Sequence, residues 1–494
     1  MRMAGLDIGT TGCKCTVFDE NGAYLGKAYR DYPVRRSVSG HETDVSVIMD
    51  SVYEVLQEMA SLFPDIGGIG VTSYGETFVM TDAKGTPLHM AMLYTDPRGT
   101  QQCRRLIELL GEERIARITG LRPHEMYSIS KMMWLREERP EVYEKAAHIF
   151  MIEDYVVYHL SGARQIDYSL ATRSMAFDIE NLGWSEEIFA AAGIDLRKMS
   201  QTVPTGTEAG SILPEAAARC GLNPGTRLIL AGHDQIAAAV GSGVFDGSSA
   251  IDGAGTVECL TPIYDSMPQK DVMYRNYFSI VPYVVPGMYA AYAFSYTGGA
   301  LIQWFTQTLA GKEAQLAAEE GCSVNEYLER RSTSPTGLLV LPHFAGAATP
   351  HMDIGSRGAI LGLTMDTSAA DLHRACMEGV VYEMRLNMEA LEGSGCRFTE
   401  LKATGGGARS KVWMQMKADV LNLPITALGT ADAGTVGSAM LTGIAIGSFR
   451  DLADAASHMV TEVETYRPRP DMHERYMQIY DRYKRLYAAV RPLV

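Results

Sequence analysis

Two stretches of this chain, one at its start and one at its middle, are built alike: an apolar strand, a turn of glycine and threonine, and a second strand. The first runs Met3 to Ile8, turns through Gly9-Thr10-Thr11-Gly12 and continues from Cys13 to Asp19; the second runs Ser249 to Asp252, turns through Gly253-Ala254-Gly255-Thr256 and continues from Glu258 to Ile263. Such repetition constrains the chain to two domains of like design facing one cleft. The 494 residues, 46% of them hydrophobic, suffice for a buried core in each. A Gly/Ser/Asp cluster at Phe245 to Ser248 marks the boundary, giving domains 1–245 and 246–494.

The surrounding pattern is that of an α/β protein. Asn21-Gly22 favours a tight hairpin turn before a strand from Ala23 to Tyr29, a helix is predicted over Val45 to Leu62 with Asp44 as N-cap, and Ile69 to Val71 reads as a strand. An uncharged run from Asn276 to Gly311 is long enough to span a bilayer, but Pro282, Pro286, Gly287, Gly298 and Gly299 break it, so it reads as buried strands and a helix start. The N-terminal run lacks the basic segment and long apolar core of an export signal, so a cytoplasmic location is expected. With 44 basic and 59 acidic residues, the net charge of −15 argues against nucleic acid or an anionic membrane as partner. The eight cysteines lack the spacing of a zinc site and read as reduced packing residues.

Four segments carry chemistry. In Asp7-Ile8-Gly9-Thr10-Thr11-Gly12, backbone N–H groups and hydroxyls at Gly9, Thr10 and Thr11 can face a phosphate, with Asp7 placed to hold a metal ion through water and Lys14 to offer a cation; an ordinary glycine hairpin is the alternative. Gly255 and Thr256 offer a second phosphate turn in the other half. Gly405, Gly406, Gly407 and Ala408 follow a strand, Leu401 to Thr404, and precede a helix from Lys411 to Leu421, where a base or ribose could lie on bare backbone. Asp234, after the strand Leu228 to Ala231, can accept a hydroxyl proton at a strand end, with Gln235 hydrogen-bonding a neighbouring hydroxyl; the plainer reading is that Asp234 caps the following helix. His233 reads as a packed neighbour. No G-x-x-x-x-G-K-[ST] loop and no G-x-G-x-x-G occurs, which excludes a P-loop kinase and leaves no support for a dinucleotide or protein-kinase site.

In this order the segments resemble the FGGY family of carbohydrate kinases. Asp7 to Thr11 resembles its first phosphate motif; Met126 to Leu135, with Lys131 three residues before Trp134, its first signature; and Asp167-Tyr168-Ser169 its mid-domain pattern. Gly358 to Leu363 with Ala375-Cys376-Met377-Glu378-Gly379 resembles the second signature, and Gly405 to Ser410 with Trp413 the adenosine motif, while Asp432-Ala433-Gly434 stands where many members have Glu-Ala. The resemblance implies a two-domain, actin-like (ribonuclease-H-like) α/β fold with the ligand cleft between lobes. It also implies Mg2+ and ATP as cofactors, with ATP mainly on the C-terminal lobe, and a sugar or polyol on the N-terminal lobe phosphorylated with Asp234 as general base.

Substrate contacts are expected from Tyr74, Gly75, Glu76, Tyr94, Asp96, Asp234 and Gln235. Gly75-Glu76 stands where glycerol kinases have Arg-Glu and xylulose kinases Met-His, and Tyr94 replaces the family's usual tryptophan, so the subfamily is left unassigned. A carboxylate-bearing pocket suits the hydroxyls of a ketopentose such as xylulose, a deoxyketose or a related polyol, and is expected to repel an acidic substrate. A homodimer stays open. Two other classes share parts of this pattern: an actin-like ATPase, which would not need Lys131, Trp134 or the Asp234 segment, and a non-catalytic sugar-binding regulator, which would lose the base.

Overall fold

The computed structural model describes residues 1–38, 40–332, 335–429 and 432–494. Its two large sheets repeat one another over six strands, and the second adds a seventh at one edge. In the first, of six strands, the order is Glu208–Ser211, Arg227–His233, Ile66–Ser73, Arg2–Ile8, Gly12–Phe18, Tyr24–Asp31. In the second, of seven, it is Glu462–Tyr466, Ile425–Leu428, Glu400–Thr404, Ser249–Ala254, Glu258–Tyr264, Tyr289–Ser295, Ser279–Pro282. In both, the strand before the Gly/Thr turn pairs antiparallel with the strand after it and parallel with its other neighbour. The sequence repeat is therefore a repeat of topology.

The strands around Arg2–Ile8 are buried on both faces because a helix covers each. Ala4, Leu6 and Ile8 pack with Ile48, Val52 and Leu56 of the helix Val45–Leu62, while Met3 on the other face packs with Val436 and Ala439 of the helix Ala433–Ala445. The second helix belongs to the distal part of the chain, so the two halves share an interior beneath the cleft. It crosses the helix Asp234–Gly241 so closely that a Cβ on Gly437 would collide with the Ala237 carbonyl, and one on Gly241 with that of Ala433. This crossing fixes the helix that begins with Asp234 to both halves.

Local chemistry sets the element boundaries. Asp44 accepts from Ser46 N at 2.9 Å and starts the helix Val45–Leu62. The uncharged run folds as the strands Ser279–Pro282 and Tyr289–Ser295 followed by the helix Gly299–Leu309. Among the described residues, no helix is long and apolar enough to cross a membrane.

Candidate active site

The strand Arg227–His233 ends at the cleft, and the helix Asp234–Gly241 starts there. Its N-cap is His233, whose side chain makes no capping bond, so Asp234 does not cap this helix as its position after a strand suggests. The carboxylate instead lines a cavity of about 290 Å³ together with Thr10, Tyr74, Gly75, Glu76, Tyr94 and Gln235. Among the described residues Asp234 Oδ1 has no hydrogen-bond partner, although His233 Nε2 lies 3.2 Å away. Enclosure in the cleft pushes Asp234 up to about 6, against the opposing effects of the Gln235 N–H and Arg173. Burial and the Arg173 charge push His233 down to about 4, which keeps its ring neutral at pH 7. A carboxylate with an unused oxygen in a cavity is equipped to take a proton from a ligand hydroxyl.

The same cavity holds side chains that sequence reasoning missed, Arg173 and Arg122 among them. Glu76, with a left-handed backbone at φ 62°, is paired with Arg173: Nε donates to Oε1 at 2.6 Å, and Nη2 contacts the same oxygen. The guanidinium also lies 5.2 Å from the Tyr127 ring and 5.6 Å from that of Tyr292. Arg122 lies 3.8 Å over Tyr277, and both line the same cavity. A carboxylate answered by one buried arginine, with a second arginine nearby, removes the reason to expect repulsion of an acidic substrate. One signal was available: Arg173 is the single charge between Leu170 and Phe177, and a buried arginine needs a partner.

Asp96 is not among the lining residues. Its carboxylate is fully buried, accepting from Arg98 N and Nε, each at 2.9 Å, and from His41 N at 2.8 Å. Arg98 in turn stacks 5.0 Å from Trp134, and Lys131 donates to the Glu125 and Met126 carbonyls, each at 2.7 Å. Lys131 and Trp134 thus hold the cavity wall from behind.

A second cavity, about 960 Å³, is lined by Gly255, Thr256, Gly406, Gly407 and Ser410. Gly405 and the buried Ala408 form the frame of this loop. The cavities adjoin at one turn, since Gly255 and Thr256 face the second while Val257 and Cys259 face the first. Lys417, fully buried on the helix Lys411–Leu421, ties this turn to the glycine loop by pairing with Asp252 at 2.6 Å and with Glu258.

The N-terminal turn is closed by Gly9 N donating to Gly12 O at 2.9 Å, and Tyr32 N donates to Thr11 O at 3.0 Å. Thr10 faces the first cavity. Lys14 Nζ lies 3.1 Å from Asp7 and 3.2 Å from Asp432. Burial holds Asp7 above the usual carboxylate range despite Lys14. No cluster of three or more His, Cys, Asp or Glu residues suited to a metal occurs among the described residues.

This geometry has well-populated relatives. Residues 2–241 match the N-terminal domain, and residues 254–446 the C-terminal domain, of the FGGY family of carbohydrate kinases. The chain is 27% identical to a xylulose kinase of Bacillus subtilis (strain 168), over 99% of this chain and 97% of that one. It is 28% identical to a gluconokinase of the same organism, over 96% and 93% respectively. The solved xylulose kinase of Rhodospirillum rubrum superposes with a TM-score of 0.90 at 26% identity, covering 100% of this chain and 99% of that one. The chain is accordingly a member of the FGGY family of carbohydrate kinases, phosphotransferases of two-domain, actin-like α/β fold that use ATP on small-molecule sugar substrates.

Proposed function

We propose that this enzyme transfers the terminal phosphoryl group of magnesium-ATP to a hydroxyl of a sugar or polyol, with Asp234 as general base. The observation that carries the reading is Asp234 Oδ1, unpartnered among the described residues, in a small cavity that shares a turn with a larger, glycine-lined one. The hydroxyl oxygen forms a bond to phosphorus, the bond from phosphorus to the bridging oxygen of ATP breaks, ADP leaves, and the proton passes to Asp234. Gln235, Glu76 and Tyr94 orient the substrate, and Tyr74 and Gly75 line its place, Gly75 letting Arg173 pack within 2.8 Å of where a Cβ would be.

The domains 1–245 and 246–494 carry the sugar and nucleotide sides respectively. Gly255, Thr256, Gly405, Gly406, Gly407 and Ala408 frame the nucleotide, with Gly9, Thr10, Thr11 and Lys14 facing its phosphates. A magnesium ion fits beside Asp7, whose buried carboxylate is disfavoured by its surroundings and has one lysine as direct counter-charge. Asp7 would hold it through water, and the ion would offset the charge of the phosphates.

The favoured substrates are polyhydroxylated chains of ketopentose size, such as xylulose. The Glu76–Arg173 pair supports admitting aldonic acids as well, because the Glu76 carboxylate is compensated by Arg173. The test is ADP release with magnesium-ATP and a panel of ketoses, deoxyketoses, polyols and aldonates. Stimulation by at least one member is expected; none with any member overturns the reading.

A further inference from the structure

We propose that Glu153 and Asp167 share one proton behind the turn that bears Asp234, and act through Gly232 and His233 as its positioning residues. The proposal rests on the reading of Asp234 as the base.

Both backbone N–H groups just before Asp234 end on side chains of other elements. Gly232 N donates to Glu153 Oε1 at 2.7 Å, and His233 N donates to Ser169 Oγ at 2.8 Å. The Gly232 carbonyl is held as well, by Thr72 Oγ1 at 2.6 Å. Ser169 Oγ passes its own hydrogen to Asp167 Oδ1, which also accepts from Ser169 N at 2.7 Å and Thr205 Oγ1 at 2.8 Å, while Oδ2 accepts from Leu170 N at 3.2 Å. Three backbone groups of the turn are therefore tied to side chains of other elements.

Glu153 and Asp167 are both wholly buried, and both carboxyls reach Gly232: Glu153 Oε1 accepts its N–H at 2.7 Å, and Asp167 Oδ1 lies 3.0 Å from where its Cβ would be. Two bare carboxylates cannot adjoin in such a place, but a protonated one donates to the other favourably. Glu153 Oε2 has no N–H or O–H donor among the described residues, as expected of the oxygen that carries the proton. Burial and the Asp167 charge raise Glu153 well above the usual range, in the same sense. Asp154, beside it, points elsewhere and accepts from Ser200 Oγ at 2.6 Å.

The turn is shaped to this brace. Gly232 has φ 86°, and a Cβ there would lie 2.7 Å from Ser169 Oγ and 3.0 Å from Asp167 Oδ1, so any side chain would displace the groups that hold the turn. Asp167 also N-caps the helix Tyr168–Thr172, and Arg173, which holds Glu76, follows directly. One short helix thus steadies the base through its first end and Glu76 through the arginine that follows its last.

The test uses Glu153→Gln, Glu153→Ala and Ser169→Ala in the full chain, with two readouts: amide hydrogen exchange at Gly232 and His233 without ligand, and kcat and KM on the panel substrate with the highest turnover. Glu153→Gln keeps an oxygen for Gly232 N–H and puts an N–H where the shared proton lies, so exchange and kcat stay within about twofold of the parent. Glu153→Ala speeds exchange at Gly232 about tenfold, and Ser169→Ala does so at His233. In both, kcat falls by about tenfold or more through misplacement of Asp234, while KM for ATP is unchanged. Equal losses in Glu153→Gln and Glu153→Ala overturn the shared proton, and parental exchange and kcat in Ser169→Ala overturn the brace. If Glu153→Ala does not fold, Glu153→Gln against Ser169→Ala still decides both points. An inactive parent overturns the kinase reading alone, since exchange still reports on the brace.

Discussion

Arg173 and Glu76 meet in the cavity wall beside His233, Nε donating to Oε1 at 2.6 Å, with side chains only 6% and 8% exposed. The arginine belongs to the segment after the helix Tyr168–Thr172 and the glutamate to the loop after the strand Ile66–Ser73, so the pair joins two remote parts of the chain at the cavity. Breaking a buried pair leaves an uncompensated charge, which costs about 3 kcal/mol or more. Arg173→Leu is therefore expected to lose about that much stability in urea denaturation and to raise KM for the sugar. Glu76→Gln combined with Arg173→Leu, which removes both charges, is expected to recover part of the stability but not the KM.

The state of Asp234 sets a pH dependence. A base must be unprotonated to accept the hydroxyl proton, and Asp234 sits near 6 because the cleft disfavours its charge. Neither neighbour masks this: His233 titrates lower, near 4, and Arg173 stays charged throughout. kcat/KM for the sugar is expected to be flat from neutral pH upward until other groups titrate, and to fall about tenfold per unit below pH 6. A pH–rate profile with saturating ATP measures it, and an inflection near 4 would show that the cleft does not raise this carboxyl.

The same shift has a stability consequence of opposite sign to its catalytic use. With the folded value raised from 3.8 to about 6, the folded protein binds the proton more tightly than the unfolded chain, so ionised Asp234 destabilises the fold fully above about pH 6 and not at all below about 4. Asp234→Asn is expected to raise Tm at pH 7.5, by a modest amount because the side chain is 34% exposed, and to lose that gain at pH 4. Turnover is expected to fall by about 10² to 10⁴. Thermal melts at the two pH values, with ADP release, check both halves.

The fold was legible where local chemistry decides it. The two strand-turn-strand units, the Asp44 cap and the helix Lys411–Leu421 follow from short-range patterns, and Lys411–Leu421 begins at Ser410, whose Oγ accepts from Trp413 N at 3.1 Å. The cavity was legible in part, because Asp234, Gln235, Tyr74, Gly75, Glu76 and Tyr94 lie in recognisable turns. Arg173, Arg122, Tyr127, Tyr277 and Tyr292 come from elements whose meeting is set by tertiary packing, and only Arg173, a lone charge in its segment, carries a local sign of it. Asp96 reads as a pocket carboxylate in sequence because its tie to Arg98 and to His41, 55 residues away, is visible only in three dimensions.

The glycine loop separates a nucleotide role from a structural one within adjacent residues. Gly406 has φ −64°, a conformation any residue adopts, and no protein atom lies within 4 Å of where its Cβ would be, yet it lines the larger cavity. Gly405 has φ 93°, and a Cβ there would meet the Ala254 carbonyl at 2.7 Å. Gly406→Val is thus expected to keep the parental Tm within about 2 °C while raising KM for ATP about tenfold or more, since its side chain projects only into ligand space. Gly405→Ala is expected to lower Tm, with the strain of the left-handed backbone and the carbonyl clash costing about 1–3 kcal/mol. If Gly406→Val binds ATP as the parent does, measured by calorimetry with a non-hydrolysed analogue, the base or ribose does not lie on this loop, and the nucleotide must be sought along the Gly255-Thr256 wall of the same cavity instead.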